Sequence, residues 1–241
     1  MERIITLEGA VNFRDLGGYE TVDGQHTRWR VLFRADGLSE LTEPDFSVMR
    51  TLGIRTVVDL RSNDEVEFSR FNVDAHPVEF HHFPFLRSLP RPDEFTMTPG
   101  LLGTQYTEML DDAAPQIIGA LTALAGVDAQ PAVFHCTAGK DRTGLLAALV
   151  LSLVGVPEEV VVEDYALSGA AMARLRAKLI LKYPDGADMI SDSDEVFSAD
   201  PTNMVALFAH MRQQYGSVAD YALAVGVPSD VVDRLRSGLL E

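Results

Sequence analysis

Cysteine is almost absent. The 241 residues contain one, Cys136, so no intramolecular disulfide framework can brace the chain, and no His/Cys cluster has the spacing of a zinc site. Positive charge is scarce too. Lys and Arg total 20 against 36 Asp and Glu, a formal net charge of −16, which argues against nucleic acid and anionic membrane surfaces as partners. Long apolar runs are missing. The longest, 145–156, is broken by Ser152 and Gly155 and falls well short of the ~20 residues that span a bilayer, so no stable membrane insertion is expected. The N-terminal Met-Glu-Arg-Ile-Ile-Thr-Leu-Glu carries too short an apolar segment for a signal peptide. The expectation is a cytoplasmic protein, or one exported without a recognisable signal. Internal repeats and low-complexity segments are also lacking.

What is present is an ordinary globular composition, 46% hydrophobic, in a chain long enough for one sizeable core; a single domain over 1–241 is expected. Residues 12–18 lack a helical period and end in Gly-Gly, so they read as a loop. Residues 30–33, 55–60 and 78–85 read as strands. Thr42-Glu43-Pro44-Asp45 is a helix start with a Thr cap, an early proline and acids at the positive end; Gly53 stops that helix. Residues 61–65 read as a turn into a short helix, and proline-rich 87–103 as an irregular loop. Helices are expected at 104–110 and 115–125, and again at 157–167, 170–183, 201–215, 217–225 and 228–240, making 157–241 a largely helical C-terminal portion. This alternation predicts an α/β fold: a central, mostly parallel sheet flanked by helices, with a helical C-terminal cap or lid.

The densest chemical signal is 131–153, PAVFHCTAGKDRTGLLAALVLSL. An apolar β-run leads into a polar, Gly-containing turn and then an apolar helix. Strand, tight loop and helix N-terminus together make an anion site, from converging backbone N–H groups and the positive end of the helix dipole. Cys136 opens the loop and Arg142 closes it. A thiolate at the first position can lie beneath a phosphorus while a guanidinium at the second forks onto two phosphate oxygens. A free thiol ionises near pH 8.5. Loops of this kind lower that by about three, worth roughly 4 kcal/mol in favour of the thiolate. Lys140 and the Thr143 hydroxyl are placed to contribute. Gly139 lets the backbone turn inward, and Gly144 lets the helix begin close to the strand. A small buried apolar cysteine is the plainer alternative, but it leaves the flanking residues without a reason.

His135-Cys136-Thr137-Ala138-Gly139-Lys140-Asp141-Arg142-Thr143-Gly144 resembles the signature of the cysteine-dependent phosphatases. Its Gly-Lys-Asp-Arg-Thr-Gly form is similar to the bacterial dual-specificity protein tyrosine phosphatases of the mycobacterial protein tyrosine phosphatase B branch. The stretches 12–19 (NFRDLGGY) and 57–62 (VVDLRS) fit the same branch. The resemblance implies a metal-independent phosphatase without a cofactor. It would hydrolyse phosphotyrosine, with phosphoserine/threonine and phosphoinositides as further substrates, through a phosphocysteine intermediate, and release inorganic phosphate.

In that reading Cys136 is the nucleophile and Arg142 stabilises the transition state. Thr137, Ala138 and Gly139 bind phosphate with their N–H groups, Lys140 meets the substrate or a second phosphate, and Thr143 assists the departing thiolate. His135 organises the loop. The Trp-Pro-Asp loop of many relatives is missing, because the one Trp is Trp29. Asp141 is therefore the first choice for general acid, Asp59 the second, or else a supporting partner of Arg61 or Arg14, with Asp93 and Glu94 behind them. Arg14, Asp15, Arg34 and Asp36 read as exposed turn residues with ion-pairing roles, and His81-His82 as packing. A phospho-binding module without turnover and a rhodanese-like sulfurtransferase are the competing classes. The first gives no reason to keep a nucleophile; the second gives none for Arg142 and Gly144.

Overall fold

The computed structural model describes residues 1–88, 101–182 and 196–241. At its centre β5 (Ala132–His135) runs parallel to a strand on either side, β2 (Leu32–Ala35) and β3 (Thr56–Asp59). Beyond β3 lies β4 (Glu79–His82), parallel again, and at the other edge the two-residue β1 (Arg14–Asp15) pairs antiparallel with β2. The order is β1-β2-β5-β3-β4. The register sets His135 beside Ala35 on one side and Asp59 on the other. Three strands therefore end level where the 136–140 loop leaves the sheet, at the carboxyl edge where open parallel sheets hold ligands.

Alternation along the strands sorts their side chains into two apolar layers. Phe33, Val57 and Val133 join Phe13, Phe46 and Met49 under α1 (Glu43–Thr51). Leu32, Val58, Ala132 and Phe134 face a larger layer that runs on to Leu240. At its middle is α5 (Asp141–Leu153), which is buried on nearly every side. A helix that is apolar all round must be enclosed by others. Here the enclosure comes from α3 (Leu101–Asp112), α6 (Glu158–Ala166), α9 (Val218–Val225) and α10 (Ser229–Leu239), while α4 (Ala114–Leu124) and α8 (Pro201–Tyr215) complete the layer. Two further helices, α2 (Asn63–Phe68) and α7 (Ser168–Lys182), follow β3 and α6.

Element ends follow local chemistry. Thr42 and Asp45 form a reciprocal capping box at the start of α1, and Gly53 beyond its end takes φ +70°. Ser62 and Glu65 form a second box at α2. Two readings shift. Residues 12–18 are not wholly loop, because Arg14 and Asp15 pair with Arg34 and Phe33. The strand expected at 30–33 lies two residues later, because Arg34 interrupts the apolar pattern yet is buried on an ionic partner. Residues 89–100, with Asp93 and Glu94, and 183–195 of the expected lid lie outside the described residues.

Candidate active site

The 136–140 loop is held from behind by its carbonyls. Asn12 Nδ2 donates to Ala138 O (3.1 Å) and Gly139 O (3.0 Å), Arg34 Nη2 to Gly139 O (2.9 Å), and Gly37 N to Thr137 O (3.1 Å). In a planar trans peptide the N–H points opposite to the C=O, so tying these carbonyls outward turns the amides inward. Gly139 makes the turn at φ +67°, pressed so close to β2 that a Cβ would come within 2.5 Å of Ala35 O. The Gly139 N–H donates to Cys136 Sγ at 3.3 Å, and the thiol is buried at the loop's focus. No side chain caps the start of α5, where Lys140 is the N-cap. Gly144 is needed for a reason other than the one expected: a Cβ there would meet Tyr165 at 3.0 Å and Arg34 at 3.7 Å.

Arg142 is nearly buried and ends on Glu65 of α2. Nη1 reaches Oε2 at 2.5 Å and Nη2 reaches Oε1 at 3.0 Å, an end-on fork that fixes the guanidinium plane. Glu65 is itself fixed by Ser62 N (2.8 Å) and by the Thr137 hydroxyl, which also lies 3.5 Å from Arg142 Nη2. Burial pushes the Glu65 carboxyl up, but the hydrogen bonds and charge of Arg142, with the Thr137 and Ser62 bonds, outweigh it and hold it at about 2. Burial lowers the affinity of Arg142 for its proton, yet the Cys136 and Glu65 charges more than compensate and push it above its ordinary value.

Asp141, first residue of α5, is partly exposed beside the loop. Its Oδ1 accepts from Tyr106 Oη at 2.5 Å and lies 3.4 Å from Lys140 Nζ. The Lys140 ammonium does not face open space. It is 1% exposed and donates to Val196 O (2.6 Å) and Ser198 O (2.8 Å), in the segment before α8. Asp59 sits deep at the end of β3, where Arg61 Nε, Nη2 and N all donate to it at 2.7–3.0 Å; a carboxylate so fully committed is no acid for a leaving group. His135 is wholly buried, which pushes its imidazole below the ordinary value; Nδ1 lies 3.2 Å from Cys136 O and Nε2 lies 3.6 Å from Asp59 Oδ2. The Thr143 hydroxyl is buried with no hydrogen-bond partner among the described residues. His81 Nε2 pairs with Glu79 at 3.0 Å.

Beneath the loop lies an ionic cluster. Asp164 of α6 accepts from Arg14 Nε (3.1 Å), Arg34 Nη1 (2.6 Å) and Tyr19 Oη (2.8 Å). Arg14 Nη2 also donates to Ser168 Oγ (3.1 Å), and Nη1 to Asn12 Oδ1. Burial raises the Asp164 carboxyl, but Arg14 and Arg34 prevail and hold it far below the usual range. Arg14, Asp15, Arg34 and Asp36, expected in exposed turns, are all buried. Asp36 binds the N–H groups of Val11 and Asn12, and Asp15 those of Gly17 and Arg30.

A buried free thiol, an inward ring of amides and a buried guanidinium at these offsets agree with the family match, which covers residues 5–241 as the tyrosine phosphatase family. The chain belongs to that family. It is 29% identical to the triple specificity protein phosphatase PtpB of Mycobacterium tuberculosis, across 97% of this chain and 98% of that protein. It is 28% identical to the tyrosine-protein phosphatase of Nostoc commune, across 84% and 72%. Among solved structures, TpbA of P. aeruginosa aligns over 86% of this chain and 96% of its own, at 18% identity and a TM-score of 0.44.

In this tyrosine phosphatase several residues around the loop escape the sequence reading. Glu65 is visible there only as part of a turn into a short helix; its reach to Arg142, 77 residues on, leaves no local trace. Asp164 and Tyr165 fall within the helix expected at 157–167 and Tyr106 within that at 104–110, with nothing local to mark a role. Asn12 falls within a quoted motif, but its role on the loop carbonyls needs the fold.

Proposed function

We infer that the protein hydrolyses phosphoric monoesters of phenols, phosphotyrosine above all, by two in-line displacements at Cys136. The observation that carries this is the Cys136 sulfur at the focus of the loop, with the Gly139 N–H on it and Arg142 fixed alongside. In the first step Sγ attacks phosphorus and the ester P–O bond breaks. Asp141 gives its proton to the leaving oxygen. The loop amides of 137–139 and Arg142 take up the charge on the equatorial oxygens. In the second step water attacks phosphorus, Asp141 recovers a proton, the S–P bond breaks and inorganic phosphate leaves. The Thr143 hydroxyl, with no hydrogen-bond partner among the described residues, donates to the departing thiolate. His135 orients the loop through the Cys136 carbonyl, and Asp59 holds Arg61 rather than a substrate proton.

The chemistry needs no metal, because sulfur supplies the nucleophile and amides and guanidinium supply the charge. The range extends to phosphoserine/threonine and phosphoinositides; the printed name of the mycobacterial relative, a triple specificity phosphatase, supports breadth. The test is phosphate release from a phosphotyrosine peptide, a phosphoserine peptide and mono-phosphorylated phosphoinositides in the presence of EDTA. Turnover of the first should survive chelation and vanish in Cys136→Ser. Retained turnover in that variant overturns the covalent reading, and thiocyanate formation would point to sulfur transfer instead.

A further inference from the structure

Asp141 is one of the few groups at the site whose two oxygens are treated differently. Oδ1 is occupied by Tyr106 Oη at 2.5 Å and faces Lys140 Nζ at 3.4 Å, whereas Oδ2 has no partner among the described residues. Tyr106 is fully buried on α3 and cannot follow solvent. Behind it stands Tyr165 of α6, Oη to Oη 2.8 Å, with either hydroxyl able to donate; Asn203 of α8 hydrogen-bonds Tyr165 in turn. Side chains from three helices thus form a chain of contacts that ends on one carboxyl oxygen.

We propose that Tyr106, backed by Tyr165, is a positioning residue that reserves Oδ1 of Asp141 as a permanent acceptor and so confines the transferable proton to Oδ2. This rests on Asp141 being the acid. When Asp141 is a carboxylate, Tyr106 donates to Oδ1 and Tyr165 donates to Tyr106. When it is a carboxylic acid, Oδ1 is the carbonyl oxygen and accepts the same bond. The proton therefore has one place to sit, and in the proposed mechanism it is the one that serves the leaving group. In the first step the Oδ2–H bond breaks as the proton passes to the ester oxygen; in the second a proton from water returns to Oδ2. The phenol is never consumed. Burial, then the Asp141 charge, raises the Tyr106 hydroxyl well above its ordinary value, so it stays a donor throughout the working pH range.

The charged and titratable groups facing Asp141 are Lys140 and Arg142 from its own loop and helix, Tyr106 from α3 and Tyr165 from α6. Removing the Tyr106 donor frees the Asp141 carboxyl to turn, and the loss of orientation weakens proton delivery to poor leaving groups. Tyr106→Phe should lose about tenfold in kcat/KM on phenyl phosphate, a fraction of what a whole general acid supplies. On 4-nitrophenyl phosphate, whose leaving group barely needs a proton, it should lose little. Tyr165→Phe keeps the Tyr106 bond and should show the same dependence on the leaving group, but a weaker one. A loss equal on both substrates makes Tyr106 merely structural and overturns the proposal. Asp141→Asn, run alongside, separates the two levels. If it too shows no dependence on the leaving group, the acid assignment itself fails; if it shows a strong one and Tyr106→Phe does not, only the positioning role falls.

Discussion

Arg142 is asked to meet a dianion, yet in the free protein its terminal edge already holds a carboxylate. The end-on fork from Glu65 takes Nη1 and Nη2, and no acid among the described residues holds Nε, so in the proposed mechanism the side edge is the one that meets phosphate. Glu65 thereby trades the rotamer freedom of a long side chain for a fixed plane. Its carboxyl is depressed from 4.5 to about 2, so its contribution to folding is complete above pH 4.5 and fades as the pH drops towards 2. Glu65→Gln should remove that stretch of acid sensitivity from the urea midpoint. It should also cost about tenfold or more in kcat/KM at neutral pH, since a neutral amide holds the guanidinium weakly. An acid profile identical to that of the parent would mean that Glu65 is not the group that titrates.

At the scale of elements, three unrelated segments brace the loop. The N-terminal stretch gives Asn12, β2 gives Arg34 and its successor Gly37, and the segment before α8 is tied in by Lys140. The strand-loop-helix order was legible from residues 131–153 alone, because apolar periodicity and loop polarity are local. The Thr42 cap was legible for the same reason, as was the turn into a short helix at 61–65. Lys140 was not. A loop lysine next to a phosphate site suggests a substrate contact, and only the fold shows two carbonyls consuming its ammonium. Lys140→Met should therefore cost stability, roughly 1–3 kcal/mol for two acceptors left without a donor. It should leave the ratio of rates on mono- and bis-phosphorylated inositides unchanged. Thermal unfolding and a paired substrate assay check both; a collapse of that ratio without loss of stability would return Lys140 to the substrate.

Across the whole molecule, a net charge of −16 coexists with a cationic floor under the active loop. Screening beyond roughly 8 Å leaves the remote acids little say, while Arg14 and Arg34 share the single carboxylate of Asp164 and leave a net positive charge buried there. The same cluster joins the helical C-terminal half to β1 and β2. Composition could not show this, since buried arginines are read as surface until their acid is known to sit 130 or 150 residues away. Asp164→Asn should lower unfolding free energy by about 3–5 kcal/mol, the cost of leaving buried charge unpaired. The loss should show as a lower denaturant midpoint together with reduced turnover, because Arg34 and Asn12 would no longer hold the loop carbonyls. A variant as stable as the parent would mean the cluster carries no weight.

The most direct test of the account is to mix the protein with a phosphotyrosine peptide, quench by denaturation within the first turnover, and map phosphoryl groups by mass spectrometry. One phosphoryl group on Cys136, formed as fast as the dephosphorylated peptide appears, is the predicted result. Phosphate release with no phosphoryl group on that residue, or with one lodged elsewhere, would contradict it.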